Sequence, residues 1–95
     1  MAAGLSDSTI RGLTARFPRW HVVEDALEAE FSFSSYMAEI DFVSQVARIA
    51  EEMNHHPNIF IGENKVRLSV SDQKEHAITL KDMRFIERVE PFLPS

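Results

Sequence analysis

Between residues 27 and 33 the chain alternates strictly: Leu27, Ala29, Phe31 and Phe33 are apolar, and Glu28, Glu30 and Ser32 are polar. A period of two predicts a strand with one face in a core and one in water. A shorter strand is predicted over Trp20–Val23, joined to the first through Glu24-Asp25-Ala26, so an antiparallel hairpin is expected. A second hairpin is predicted from Asn58–Ile61 and Lys65–Ser71. There Val66, Leu68 and Val70 alternate with Arg67 and Ser69, and Gly62-Glu63-Asn64 supplies the turn.

Three segments carry helical periodicity instead. Ser6–Phe17 places Ile10, Leu13 and Phe17 on one face, with Ser6 or Asp7 as N-cap and Pro18 as the stop. A long helix is expected from a cap at Ser34 or Ser35 to about Asn54, ended by Pro57. Its apolar residues are Met37, Ile40, Phe42, Val43, Val46, Ala47, Ile49, Ala50 and Met53. At ~100° per residue these cover roughly half the circumference, more than the stripe of about 100° that packing on one sheet requires. The surplus face, Phe42, Val46, Ile49 and Met53, therefore predicts a second partner; deeper burial within the chain is one reading, and in a short chain a second copy is the favoured one. The last helix is predicted from Thr79 to about Phe92. Thr79-Leu80-Lys81-Asp82 forms a capping box, and Leu80, Met83, Ile86 and Val89 form the buried face. The element order is helix, hairpin, helix, hairpin, helix. That is an α+β chain with a four-stranded antiparallel sheet and its helices on one face.

Length and charge narrow the classes. The chain has 95 residues, enough for one domain over residues 1–95 and too little for two. It has no cysteine, so disulfides cannot supplement a small core, and oligomerisation is the remaining common route. A net charge of −5, with the basic residues scattered, argues against direct nucleic-acid binding. No stretch approaches the ~20 apolar residues of a membrane span, and Met1–Thr9 shows no signal-peptide pattern. A cytoplasmic protein is the expectation.

The densest chemistry is Glu51-Glu52-Met53-Asn54-His55-His56-Pro57. Two adjacent imidazoles at a helix end suit proton transfer in both directions near neutral pH. Glu51 and His55 are spaced i,i+4, so they are expected to share a helix face and hydrogen-bond. Two further readings stand beside this one. The histidines could cap the last carbonyls and fill a loop, or Glu51 and His55 could contribute to a zinc site. The zinc reading finds no cysteine and no HExxH motif in support, and metal is not expected. His21 and His76 stand alone and are expected at the surface.

Phe31-Ser-Phe33, Ala47-Arg-Ile-Ala50-Glu51, Asn54-His55-His56-Pro57, Asn64-Lys65-Val66 and Thr79-Leu80-Lys81-Asp82 together resemble the pterin-4a-carbinolamine dehydratases. The likeness runs from about Leu13 to Phe92 and includes Trp20. It implies a cytosolic α+β fold, assembled as a homodimer or homotetramer. It also implies dehydration of 4a-hydroxytetrahydropterin to quinonoid dihydropterin, with neither metal nor bound cofactor. Carried over by position, Glu51, His55 and His56 are catalytic, and Pro57, Gln73 and Asp82 border the substrate. Asp82 is also explained as a local helix cap. Two positions depart from the family pattern: Glu63 stands where an aromatic is usual, and Gln73 where a further catalytic histidine is usual. Whether His76 enters the same pocket is left open.

Gln73 can hydrogen-bond but does not titrate. Two functions therefore follow from the resemblance. One is a dehydratase working through His55 and His56. The other is a non-catalytic protein-binding or assembly factor on the same scaffold, such as a dimerisation cofactor or a Rubisco assembly protein, with a protein client as partner.

Overall fold

The computed structural model describes residues 4–94; expectations for Met1–Ala3 and Ser95 lie outside the described residues. The elements run α1 (Asp7–Arg16), β1 (His21–Val23), β2 (Ala26–Ser32), α2 (Tyr36–Met53), β3 (Asn58–Gly62), β4 (Lys65–Val70) and α3 (Leu80–Val89). A 3-10 turn over Glu90–Phe92 follows. The order expected from the sequence is the order observed.

All strands pair antiparallel, in the spatial order β1-β2-β4-β3. The two hairpins are thus joined through their second strands, with Leu27 opposite Val70, Ala29 opposite Leu68 and Phe31 opposite Val66. These six side chains are buried, and the helices cover them. The opposite face carries Glu28, Glu30, Lys65 and Arg67, with Lys65–Glu30 and Arg67–Glu28 ion pairs at 3.7 and 3.9 Å. The second hairpin turns at Glu63 and Asn64, both at positive φ (54° and 64°), as a two-residue primed turn requires. Gly62 belongs to the strand.

Helix starts follow the expected caps. The Ser6 hydroxyl accepts from the Thr9 amide at 3.1 Å, and that of Ser35 from the Ala38 amide at 3.1 Å. The end of α2 falls where expected, but Pro57 is not what stops it. The helix stops at Asn54, which is left-handed (φ 51°, ψ 43°), three residues ahead of Pro57. The Asn54 amide donates to the Glu51 carbonyl and the His55 amide to that of Ala50, the paired bonds of a Schellman ending.

The surplus face on α2 is a further correction. Phe42, Val46 and Ile49 are buried within the chain itself. Phe42 packs on the Phe31 and Phe33 rings at 5.6 and 5.2 Å, and Met53 lies against the same core. The helix touches both β4 and α3, so its broad apolar surface is used internally. An α2 interface would have to use the other side, where Tyr36 and Met37 are exposed.

On α3 the buried residues are Asp82, Phe85, Ile86 and Val89. Leu80, expected inside, is exposed, and Met83 is half-buried. Trp20 is buried ahead of β1; its Nε1–H donates to Glu90 Oε2 at 3.2 Å, and Arg19 holds the other oxygen. No described helix is long and apolar enough to cross a membrane.

Candidate active site

The left-handed residue Asn54 decides where the two imidazoles go. Had the helix continued, His55 would lie one turn above Glu51. The reversal at Asn54 instead sends His55 toward α3, and His56 back over the last turn of α2. His55 Nε2 lies 2.5 Å from Asp82 Oδ1, and His56 Nε2 lies 2.7 Å from Glu51 Oε2. The expected Glu51–His55 bond is therefore replaced by two separate imidazole–carboxylate pairs.

The pairs differ in setting. The His55 side chain is 12% exposed and its carboxylate partner 0%, whereas His56 and Glu51 are 58% and 78% exposed. The His55 ring also meets Phe85 edge-on, at 6.3 Å. Asp82 has two tasks. Its Oδ2 accepts from the Thr79 amide at 2.8 Å and from the Thr79 hydroxyl at 3.4 Å, completing the capping box, while Oδ1 faces His55. The cap and the histidine partner are one side chain. A carboxylate on Nε2 fixes that nitrogen as the protonated one, which leaves Nδ1 of each ring for other chemistry.

The imidazoles border a shallow depression of about 290 Å³, lined by Asn54, His55, His56, Ser71, Asp72, Gln73 and Lys74. That is near the lower end of the usual size for small-ligand sites. Gln73 thus stands with the histidines. Asp82 lies buried behind His55, and Pro57, half-buried, does not line the depression. His76 also stays outside this lining; it is exposed, at a left-handed turn position (φ 53°). Glu63 sits exposed in the β3–β4 turn, bordering a depression on the outer face of the sheet.

Asn54, Ser71, Asp72 and Lys74 also line the depression and were not among the expected site residues; of these Asp72 carries the most chemistry. Asp72 Oδ1 accepts from the amides of Lys74 and Glu75, both at 2.9 Å, in a turn closed by the Asp72–Ala77 bridge. The Glu75 amide above all holds its carboxyl below the ordinary 3.8, against an opposing effect of burial; the Lys74 amide, and then nearby Lys81 and His55, add to the lowering. An aspartate ahead of a polar turn is a recognisable Asx-turn signal, and it could have marked this residue. Among the described residues, no group of three or more His, Asp or Glu side chains is arranged to hold a metal ion.

Comparison with known proteins identifies the family. Residues 3–92 match the family described as pterin 4 alpha carbinolamine dehydratase. A Picosynechococcus relative carrying the family's dehydratase name is 34% identical over 82 residues, covering 86% of this chain and 89% of its own. One from Thermomicrobium roseum is 34% identical over 87 residues, covering 92% and 94%. The solved transcriptional coactivator/pterin dehydratase of Brucella melitensis shares the fold, with a TM-score of 0.88 at 22% identity over 96% of this chain and 99% of that one. A pterin dehydratase-like protein identified as a RuBisCO assembly factor of the alpha-carboxysome superposes with a TM-score of 0.64 at 26% identity, covering 81% and 89%. On this evidence of sequence and fold, the chain belongs to the pterin 4 alpha carbinolamine dehydratase family.

Proposed function

We propose that this chain binds a reduced pterin at the end of α2 and dehydrates its 4a-carbinolamine. The observation that carries the reading is the pair of neighbouring imidazoles beside one polar depression, each held through Nε2 by its own carboxylate. In the reaction the N5 proton is removed and the C4a–O bond breaks. The hydroxyl leaves as water after gaining a proton, and a C4a=N5 double bond forms, giving quinonoid dihydropterin. No electrons are exchanged with an outside group, so one base and one acid suffice.

His55 suits the base. Its Nδ1 is the free nitrogen, and the buried Asp82 is placed to accommodate the charge that arrives with the proton. His56 suits the acid, because its exposed ring can be reloaded from solvent. Each such transfer contributes typically 10²–10⁴-fold. Gln73 adds a hydrogen bond to the substrate and no proton transfer.

The test is formation of quinonoid dihydropterin from a freshly generated 4a-carbinolamine. Acceleration over buffer by at least about a hundredfold supports the reading, and a rate equal to buffer rejects it. A second reading, a protein-binding or assembly role, is supported by Gln73 and by the likeness to the RuBisCO assembly factor. Under that reading the same assay gives the buffer rate, and the folded chain retains a protein client.

A further inference from the structure

Resting on the pterin reading above, we infer that Asp72 recognises the N–H-bearing edge of the pterin's pyrimidine ring and so sets the site's preference for a 2-amino pteridine. Asp72 is the one carboxylate among the residues lining the depression. The others offer imidazoles, the Asn54 and Gln73 amides, the Ser71 hydroxyl and the Lys74 ammonium. A pterin presents two neighbouring donors on its pyrimidine ring, the 2-amino group and N3–H. An ionised carboxylate with unspent lone pairs is the acceptor such an edge calls for.

Asp72 is built for that task. Its Oδ1 is fully engaged by the Lys74 and Glu75 amides, which fixes the carboxylate in place, and Oδ2 has no hydrogen-bond partner among the described residues. A pre-fixed side chain loses little freedom on binding. On its far side Asp72 borders a second depression lined by Glu75, Thr79, Leu80, Lys81 and Arg84. Neither Lys81 nor Arg84 forms an ion pair with it among the described residues, so Oδ2 remains available. The division of labour is then spatial: the imidazoles handle N5 and C4a, and Asp72 holds the pyrimidine end.

The experiment compares pterin with lumazine, which carries an oxo group in place of the amino group at C2, on the wild-type chain and on Asp72→Asn. The asparagine oxygen keeps the bonds to Lys74 and Glu75, so the turn survives, which circular dichroism checks. Binding is read by fluorescence quenching. The wild type is expected to favour pterin by about tenfold, the worth of one charge-assisted hydrogen bond, and Asp72→Asn, whose amide nitrogen puts a donor in place of Oδ2, to lose that preference or turn it toward lumazine. Equal binding by the wild type, or an undiminished preference in Asp72→Asn, overturns the role of Asp72 and leaves the pterin reading standing. If neither pteridine binds the wild type, the pterin reading itself fails, and this inference with it.

Discussion

Asp82 joins the stability of α3 to the chemistry of His55, so two substitutions there should separate the roles. Asp82→Ala removes the acceptor of the buried Thr79 amide and the partner of His55 together. A lost N-cap interaction costs about 1 kcal/mol, and a lost hydrogen bond to a charged group about 1.5–3 kcal/mol. The sum, roughly 2.5–4 kcal/mol, is a large share of the 5–15 kcal/mol typical of a domain. Asp82→Asn keeps an oxygen for Thr79 and turns an NH₂ toward His55 Nε2. That nitrogen must then accept, and the proton moves to Nδ1, the atom the substrate needs free. Asp82→Asn should therefore lose only about 1–2 kcal/mol but slow dehydration by about 10²-fold or more. Urea unfolding measures the first quantity and the dehydratase assay the second. An Asp82→Asn protein that turns over at the wild-type rate would refute the tautomer argument, and an Asp82→Ala protein as stable as wild type would refute the packing argument.

Three other outcomes are expected. Glu39 is 1% exposed on the core side of α2, and neither carboxylate oxygen has a hydrogen-bond partner among the described residues. Glu39→Met should thus stabilise the fold by about 2 kcal/mol, raising Tm by roughly 8–16 °C; an unchanged or lower Tm contradicts this. Phe42→Ala should cost about 3–5 kcal/mol in urea unfolding at any protein concentration, because Phe42 belongs to the chain's own core; loss of an assembly with the fold intact would contradict it. The third outcome concerns acid. The folded-state pKa of Asp72 lies below the ordinary 3.8, so its stabilising contribution is present above that value and is lost as pH falls through the lower one. Urea midpoints below about pH 4 should therefore fall less steeply for Asp72→Asn than for wild type, and parallel curves would count against it.

Much of this fold was legible because β2 obeys its period without exception and because the caps at Ser6, Ser35 and Thr79 could be placed to within a residue. The errors share a cause: local spacing does not report tertiary direction. The breadth of apolar surface on α2 was read correctly, but a helical wheel cannot say that α3 as well as the sheet lies against it. On α3 an apolar count favoured Leu80, while the buried face runs through Asp82 and Phe85, since a carboxylate occupied in capping can sit in a core. A Glu51–His55 bond at i,i+4 spacing requires the helix to continue through His55. Asn54 in the left-handed region breaks that continuity one residue early and redistributes both histidines. The presence of the His55-His56 pair was plain from sequence; the partners of each ring depended on that one backbone reversal.

Single-turnover dehydration by the His55→Ala/His56→Ala double variant, set against wild type at neutral pH, puts the account at greatest risk. Wild type should outpace buffer, and the folded double variant should fall to the buffer rate. Full activity in a protein without either imidazole would mean that the chemistry lies elsewhere in the molecule.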